Sequence, residues 1–383
     1  MVQITDKKKC SGCAACSNIC PTKAIFMRND SEGFLYPDVD LNLCINCNKC
    51  EKVCPYLNDK LTKGNEMITK CFAAFNKNES DRIISSSGGL FIALAKCILL
   101  ENGVVYGAAF DSEFLVYHKK AESTEEIYDL VGSKYLQSRM GYIYQEVKSD
   151  LKKGRDVLFV GSTCQIAGLK AYLGHSYSNL LCVDFICLGI PSPLIWKKYI
   201  EAYFKKINIK SINFKDKTKG WNSFSLRISG ETKDFVKRGR KTKFFSGYFK
   251  GLYSRPSCSE CIFKCDQRIS DLTIADCWGS KYIASELDDN KGLSSIIIHS
   301  SKGLEAFEKI KAGLMYKEIS LNDIKLYNEN YYMSKKMGEN REQFWEDCKK
   351  LPAKKLFSKY CKIERKNLLI RIRNYLKNEI RIG

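Results

Sequence analysis

Near its start the chain reads Cys10-Ser-Gly-Cys13-Ala-Ala-Cys16-Ser-Asn-Ile-Cys20-Pro21, and later it reads Cys44-Ile-Asn-Cys47-Asn-Lys-Cys50-Glu-Lys-Val-Cys54-Pro55. The two stretches share the spacing C-x2-C-x2-C-x3-C-P, so residues 1–60 contain an internal repeat. Three thiolates at this spacing wrap one face of a cubane iron–sulfur cluster, and the fourth completes the cluster of the other copy. We therefore assign cluster one to Cys10, Cys13, Cys16 and Cys54, and cluster two to Cys20, Cys44, Cys47 and Cys50.

This spacing is that of a bacterial two-cluster ferredoxin, and it predicts an α+β ferredoxin-like module with two 4Fe-4S clusters. The alternative is a zinc or disulfide module, which eight cysteines in two matching copies disfavour. A module of this kind carries single electrons and performs no bond chemistry. We therefore expect a redox domain in the remainder of the chain.

The composition agrees with metal binding in a reducing compartment. The chain has 383 residues with 19 cysteines and only three histidines, His118, His175 and His299, which disfavours histidine-based zinc catalysis and catalytic triads. The first residues have no apolar signal region, and the longest apolar run, 91–100, is too short to span a bilayer. We expect a cytoplasmic protein whose cysteines bind metal rather than form disulfides.

The formal net charge of +20 is concentrated near the end of the chain. Residues 349–383 contain 12 Lys and Arg but only two Asp and Glu. Apolar residues recur at helical spacing over 365–381, which predicts a basic amphipathic helix; they are Leu368, Leu369, Ile372, Tyr375 and Leu376. This helix either contacts an anionic membrane or an acidic partner, or packs on its own domain. No nucleic-acid-binding motif is present, and positive charge alone is weak support for one.

Between the cysteine repeat and the tail, short apolar strands alternate with helices. Strands are predicted at 103–110, 156–160, 180–187 and 294–299, antiparallel strands at 211–230, and helices at 83–100, 141–153, 166–173 and 194–206. This alternation predicts a larger α/β domain with a mixed sheet. The predicted domains are 1–60, 70–320 and a basic helical C-terminal region, 321–383.

Two cysteines occupy the sheet edge at which ligands bind in such folds. Cys164 and Cys187 follow the predicted strands 156–160 and 180–187, and strand carboxyl ends form the ligand-binding rim of open α/β sheets. Cys164 also starts a predicted helix, where backbone N–H groups favour a thiolate. The two thiols either share one metal centre or are ordinary core residues.

Several short motifs in this region resemble a known family. They are Ser86-Ser-Gly-Gly-Leu90, Gly132-Ser-Lys134-Tyr135-Leu-Gln137-Ser138, Gly161-Ser-Thr-Cys164-Gln165, Asp184-Phe-Ile-Cys187-Leu-Gly189-Ile-Pro191-Ser-Pro193, Cys258-x2-Cys261, Arg268-Ile-Ser-Asp271-Leu-Thr-Ile-Ala-Asp276-Cys-Trp278-Gly279 and Lys291-Gly292-Leu-Ser294. In order and spacing they resemble the coenzyme F420 hydrogenase/dehydrogenase beta subunit family, here following a two-cluster ferredoxin. The resemblance covers residues 1–320.

The resemblance implies a flavin-binding domain that holds FAD and a third 4Fe-4S cluster, with Cys164, Cys187, Cys258 and Cys261 as the cluster ligands. A rival set, Cys258, Cys261, Cys265 and Cys277, is compatible with a zinc tetrathiolate. The implied cofactor contacts are Ser87, Gly88, Gly89, Lys134, Gln137, Ser138, Thr163, Gln165, Asp276, Lys291, Gly292 and Ser294. For single residues among them, a helix cap or a solvated lysine remains an alternative.

The function implied is an iron–sulfur flavoprotein oxidoreductase without a nucleophilic side chain. It moves electrons between a two-electron partner at the flavin, coenzyme F420 or a substitute, and a one-electron partner protein or subunit through the clusters. The chain departs from the family pattern at Thr163, Leu188 and Cys277, which bears on the use of F420. The alternatives are an electron-transfer subunit serving a separate enzyme, and a substrate-modifying domain, for example in polysaccharide biosynthesis. Five further cysteines are read as small apolar residues: Cys71, Cys97, Cys182, Cys348 and Cys361.

Overall fold

A computed structural model of the chain describes residues 1–62, Gly64 and residues 70–363. The basic helix predicted at 365–381 lies outside these described residues. Within them, no helix combines the length and the apolar character needed to cross a membrane.

The cysteine repeat folds around one small hairpin and two short helices. Helix α1 (Ala15–Ile19) is followed by the antiparallel strands β1 (Ile25–Asn29) and β2 (Leu35–Val39), and then by helix α2 (Lys49–Lys52). Each helix begins inside one cysteine run, so the two halves of the module have the same order of cysteines and helix.

The repeat extends to the backbone conformation of the cysteine runs. Gly12 and Asn46 occupy equivalent positions and have φ angles of 70° and 53°. Ala14 and Asn48 are the next equivalent pair, with φ angles of 64° and 55°. A left-handed conformation is uncommon for residues other than glycine, and turns of this kind aim successive N–H groups into an anion-binding hollow. Both runs therefore have the local geometry of an anion cradle.

The body is built on a mixed sheet of eight strands. They are β3 (Lys70–Asn76), β4 (Val104–Phe110), β5 (Val116–Ala121), β6 (Val157–Val160), β7 (Leu180–Phe185), β11 (Leu272–Asp276), β12 (Ser294–Ile298) and β13 (Leu314–Ile319). Their order is β13-β3-β12-β11-β7-β6-β4-β5, and the central neighbours β4, β6, β7 and β11 are parallel. The other neighbours are antiparallel, so the predicted mixed sheet is confirmed.

Helices cover both faces of this sheet. The helices of the body are α3 (Glu79–Ile84), α4 (Leu90–Leu100), α5 (Thr124–Leu130), α6 (Ile143–Lys152), α7 (Thr163–Leu173), α8 (Pro193–Phe204), α9 (Lys243–Phe249), α10 (Ser280–Ile283), α11 (Ser301–Ile310), α12 (Leu321–Tyr327), α13 (Arg341–Lys350) and α14 (Ala353–Tyr360). Helices α4, α5 and α11 share one hydrophobic cluster with the sheet. Helices α6 and α7 share another, which also contains Ala14, Ala15 and Val53 of the cysteine module. The module is therefore packed directly on the α6–α7 face.

A second, three-stranded sheet carries the largest aromatic core. Strands β8 (Ile209–Asp216), β9 (Ser225–Gly230) and β10 (Asp234–Arg238) pair antiparallel, with β9 in the centre. Trp196 of α8 and Phe244 of α9 pack in the same cluster as Phe344 of α13 and Phe357 of α14. The described part of the predicted 321–383 region thus contributes to the core of the body.

The single helix predicted over 83–100 is wrong. The structure has two helices, α3 and α4, separated by residues 85–89. The Ser87 hydroxyl donates to Leu293 O at 2.8 Å, and the Gly88 N–H donates to Ser294 Oγ at 2.9 Å. Gly89 has a φ of 86°, which a helix interior does not accept. These long-range hydrogen bonds to the start of β12 interrupt the helix, and no local pattern predicts them.

Candidate metal and cofactor site

The structure brings together the four cysteines assigned to cluster one. Burial raises the pKa of the Cys16 thiol well above its ordinary value, and the neighbouring Cys13, Cys10 and Cys54 raise it further. The pKa of Cys13 is raised to about 12, again by burial first and then by Cys10 and Cys54. These mutual effects require short distances, so the fourth cysteine of the second run lies beside the first three of the first run.

The cysteines assigned to cluster two line one small cavity: Cys20, Cys44, Cys47 and Cys50. Two of these sulfurs already accept backbone hydrogen bonds. The Ala24 N–H donates to Cys20 Sγ and the Val2 N–H donates to Cys50 Sγ, both at 3.3 Å. Such bonds favour a negatively charged sulfur. Cys47 is exposed, so this cavity lies at the protein surface.

A third group of cysteines lines a cavity of about 40 Å³ between the sheet and the cysteine module, which we call the four-cysteine cavity. Cys164 is the second residue of α7, and Cys187 follows β7. Cys258 lies in the short 3₁₀ helix Pro256–Glu260, and Cys261 comes directly after it. The cavity therefore gathers residues separated by almost a hundred positions in the chain.

The sulfurs in this cavity are close enough to repel one another when ionised. Burial raises the pKa of Cys164 well above its ordinary value, and Cys261, Cys187 and Cys258 add to the rise, while the Ser162 hydroxyl at 3.1 Å opposes it. Burial therefore opposes the expectation that the helix start favours a Cys164 thiolate.

The rival zinc set is not brought together. Cys277 is fully buried in a separate hydrophobic cluster with Ala73 and Trp221, and burial raises its pKa to about 11. Cys265 is not part of the cavity lining. In the described part of the chain, no three His, Cys, Asp or Glu side chains are close enough to hold one metal ion. Thiolates that ligate a cubane bind different iron atoms at its corners, so they are more widely spaced than the ligands of a single ion.

Cationic side chains surround the four-cysteine cavity: Arg255, Lys264, Arg268 and Lys335. Nη1 of Arg255 and Nε of Arg268 are buried, and neither has a hydrogen-bond partner in the part of the chain that the structure describes. A buried donor without an acceptor is costly, and a buried cation requires a nearby anion. An anionic group held by the four thiolates satisfies both requirements, so the residues present fit a 4Fe-4S cluster.

A larger cavity of about 400 Å³ adjoins the first, and we call it the large cavity. It lies beyond the carboxyl ends of β6, β7 and β11, where Gly161, Phe185 and Asp276 line it. The two cavities share Ser162, Cys187, Gly189 and Ile190 in their walls. The sheet edge predicted to bind ligands therefore carries both a thiolate site and a space for an organic group.

Seven of the twelve cofactor contacts implied by the resemblance line the large cavity: Ser87, Gly89, Lys134, Ser138, Gln165, Asp276 and Ser294. Gly88 is not in the lining, but its N–H binds Ser294 Oγ in the cavity wall.

The other four implied contacts are not brought to the large cavity. Thr163 lines the four-cysteine cavity and donates to Asp184, and Gln137 accepts the N–H of Leu35 in the cysteine module at 3.0 Å. The Lys291 ammonium pairs with Glu79 at 2.8 Å on the surface. The carbonyl of Gly292 accepts from Arg82.

Lys134 is the implied contact with the most unusual environment. Among the described residues, its ammonium donates to the carbonyls of Val131 and Gly132, at 3.0 and 3.3 Å, and to no carboxylate. Burial lowers its pKa to about 7, and Asp129 opposes this shift. An amino group in this position in a cavity wall suits contact with an anionic or electron-rich group.

Several residues that line the two cavities were not predicted from the sequence. Lys215 pairs with Asp276 and, like Trp278 and Arg240, lines the large cavity. Arg255 lines the four-cysteine cavity but stands three residues before Cys258, in the run Arg255-Pro-Ser-Cys258. This position beside a ligand motif was the sequence feature that could have indicated its place in the site. Nothing local indicates that Lys215 of β8 reaches the other sheet.

Five cysteines without ligand spacing lie among apolar side chains, as predicted. Cys71, Cys182, Cys348 and Cys361 are buried members of hydrophobic clusters, and Cys97 packs against one.

Comparison with known proteins agrees with the division of the chain into a cysteine module and a body. Residues 154–323 match the family model described as the C terminus of the coenzyme F420 hydrogenase/dehydrogenase beta subunit, and residues 9–58 match a 4Fe-4S dicluster domain. A coenzyme F420-dependent sulfite reductase of Methanocaldococcus jannaschii is 25% identical over 354 residues, which are 89% of this chain and 52% of that protein. The chain thus spans about half the length of this relative.

Two further proteins are similar over most of the chain. One subunit of the F420H2 dehydrogenase of Methanosarcina mazei is 19% identical over 76% of this chain and 83% of its own length. A chain of the F420-reducing [NiFe] hydrogenase complex from Methanosarcina barkeri aligns with a TM-score of 0.45 and 16% identity, over 76% of this chain and 91% of that one. On the family matches, the protein combines a 4Fe-4S dicluster domain at 9–58 with a domain of the coenzyme F420 hydrogenase/dehydrogenase beta subunit family at 154–323.

Proposed function

We propose that the protein is an iron–sulfur flavoprotein oxidoreductase. A two-electron carrier, coenzyme F420 or a substitute, exchanges electrons with bound FAD. Three 4Fe-4S clusters carry single electrons between the FAD and a one-electron partner. The observation that carries the proposal is the shared wall of the large cavity and the four-cysteine cavity, of which Cys187 is a part. FAD in the large cavity supplies both hydride exchange and single-electron transfer, which neither a cluster nor a side chain supplies alone.

The large cavity has the groups that an FAD molecule requires. Helix α4 begins at the cavity with Gly89 as its N-cap, and no side chain caps the free N–H groups there. A helix start with free N–H groups attracts phosphate. Tyr135, Phe185, Tyr248 and Trp278 provide aromatic lining for a flat ring, and Lys134 provides a cation. We infer that α4 binds the phosphates.

The four-cysteine cavity is lined in part by residues of the cysteine module. Ser11, next to Cys10, and Tyr56, two residues after Cys54, line this cavity together with Cys164. One turn along α7 from Cys164, a Cβ added to Gly168 would lie 3.0 Å from Cys13 Sγ. The absence of a side chain at Gly168 lets the cluster-one cysteines approach the helix that carries Cys164. This close packing supports electron transfer between the body and the module.

The one-electron partner is proposed to bind at cluster two. Cys47 is exposed there, and Leu41 and Ile45 are apolar side chains with exposed fractions of 67% and 63%. An exposed apolar patch beside a redox centre is typical of a binding surface for another protein. The partner is a redox protein or an enzyme subunit.

Cofactor analysis after anaerobic purification tests the proposal. We expect about 12 Fe per chain and one bound FAD, and oxidation of reduced F420 with an artificial electron acceptor. A fully iron-loaded protein that neither holds nor takes up flavin contradicts the proposal and favours an electron-transfer subunit. If flavin-loaded protein does not oxidise reduced F420, the two-electron carrier is a substitute rather than F420. About 8 Fe with one Zn favours the zinc alternative.

A further inference from the structure

Arg255 lies between two of the proposed cluster sites. Its side chain is fully buried, and its carbonyl accepts the N–H of Cys258 at 3.0 Å. Its Nε donates to the carbonyl of Cys10 at 2.8 Å, and its Nη2 lies 3.7 Å from Cys10 Sγ. The same side chain lines the four-cysteine cavity. One guanidinium therefore borders both cluster one and the four-cysteine cavity, the proposed site of the third cluster, which we call the inner cluster.

The Arg255 charge has no protein counter-ion among the described residues. No carboxylate of the described chain forms a salt bridge with it, and its Nη1 has no hydrogen-bond partner. Its remaining contacts are the carbonyl of Leu35 at 3.0 Å and the face of the Tyr36 ring at 4.2 Å. Neither contact carries a full negative charge. A buried, unpaired guanidinium is costly unless an anion lies beside it.

The nearby sulfurs are the anions that this geometry offers. Nη2 of Arg255 lies 3.7 Å from Cys10 Sγ, and Arg255 lines the same cavity as Cys258. An oxidised 4Fe-4S centre with four thiolates is a dianion, and one added electron makes it a trianion. A fixed cation in a region of low dielectric stabilises the trianion more than the dianion, and N–H···S hydrogen bonds act in the same direction.

We propose that Arg255 is a positioning residue that raises the reduction potentials of cluster one and of the inner cluster together. The inference rests on the proposed function, because it requires clusters at both sites. Reduction of either cluster takes up one electron from the donor, no proton is transferred, and no bond to the protein forms or breaks. Because Arg255 shifts both potentials in the same direction, the difference between them changes by less than the larger of the two shifts.

The test is an EPR-monitored redox titration of the complete, anaerobically purified chain with dithionite as the reductant. In Arg255→Gln, we expect the midpoint potentials of cluster one and the inner cluster to fall by at least about 59 mV. At a fixed solution potential, this fall lowers the ratio of reduced to oxidised cluster at least tenfold for a one-electron couple. The third, cluster two at the surface, has no contact with Arg255 and is expected to stay unchanged. Arg255→Lys keeps the charge but loses the paired contacts of Nε and Nη2 with Cys10. We expect this variant to lower the two midpoint potentials by less than Arg255→Gln does.

Lys8→Gln is the matched control. It also removes one positive charge near Cys10, but Lys8 is half exposed and pairs with Glu260 across the joint between module and body. Because solvent screens this charge, we expect a change below threefold in the same ratio, about 28 mV. A shift as large as that of Arg255→Gln would overturn the inference in favour of a general charge effect.

The outcomes separate this inference from the proposed function. If the wild-type chain lacks three EPR-active clusters, the proposed function fails. If wild-type protein has them and iron-loaded Arg255→Gln keeps all three potentials, only the role of Arg255 is overturned. If Arg255→Gln does not fold or load iron, Arg255→Met, which also removes the charge, is titrated in its place, and wild-type potentials in that variant overturn the role of Arg255.

Discussion

The Thr163 hydroxyl donates a hydrogen bond to the Asp184 carboxylate at 2.6 Å in the wall of the four-cysteine cavity. Asp184 is fully buried at the end of β7, and it also accepts from Thr273 of β11. Arg268 donates to Thr163 at 3.0 Å and lies 3.5 Å from Asp184. This network holds α7, β7 and the Arg268 segment in one arrangement, and these elements carry or border Cys164 and Cys187.

We predict that Asp184→Asn destabilises the protein by about 3–5 kcal/mol, because Arg268 keeps a buried charge without its partner. The measurement is urea unfolding of the iron-loaded protein under anaerobic conditions. Glu101→Gln is the control, since it breaks the exposed Glu101–Lys309 pair and should cost below about 1 kcal/mol. Equal losses in the two variants would contradict a structural role for the buried network.

Cys164→Ser is expected to lower the iron content from about 12 to about 8 atoms per chain and to leave the N-terminal clusters loaded. Iron and zinc are counted by elemental analysis, and EPR follows the remaining clusters. Cys265→Ser is the control because Cys265 belongs to the rival zinc set but not to the four-cysteine cavity. Metal loss in Cys265→Ser with full loading of Cys164→Ser would reverse the ligand assignment.

Lys134 predicts a pH dependence of stability. Its folded-state pKa is lowered to about 7, below the unfolded value of about 10.4, so the unfolded chain binds more protons between these values. Stability therefore rises with pH in this window, by about 1 kcal/mol between pH 7 and pH 8. We expect the difference in unfolding free energy between flavin-free wild type and Lys134→Met to show this slope. A pH-independent difference would contradict the lowered pKa.

The same substitution is expected to weaken FAD binding, since the Lys134 amino group lies in the wall of the large cavity and pairs with no carboxylate of the described residues. Flavin retained through desalting measures this effect. Lys291→Met is the control, because Lys291 pairs with Glu79 on the surface rather than lining the cavity. Similar flavin loss in both variants would argue against a specific contact at Lys134.

Gly88→Ala is expected to displace the segment before α4 and reduce flavin content. An added Cβ would lie 2.5 Å from Ala74 O and 3.0 Å from Ser294 Oγ, so strand β3 or the segment itself must shift. Overpacking of this kind costs about 1–3 kcal/mol. Gly313→Ala has open space around its Cβ and serves as the control. Thermal unfolding and flavin content of the two variants provide the measurement, and unchanged values for Gly88→Ala would contradict the steric argument.

Much of the fold followed from the sequence because its signals are local. The spacing of Cys10, Cys13 and Cys16 predicts a dicluster domain, which the family match confirms. The apolar run at 180–187 predicts a buried strand, and β7 occupies most of it. The break between α3 and α4 escaped prediction because residues 85–89 bond to the start of β12, about two hundred positions away in the chain.

Local patterns were enough to predict the cysteine repeat, the mixed α/β pattern of the body and the candidate ligands at the sheet edge. Each of these depends on residue spacing within one run or one element, where chain geometry limits which side chains can meet. The separation of Cys277 from Cys258 and Cys261 is visible only in the folded chain, as is the contrast between Lys291 in solvent and Lys134 in the wall of the large cavity. The contact of Arg255 with Cys10 likewise comes from tertiary packing. Contacts between distant segments depend on how whole elements pack, and no short stretch of sequence records that packing.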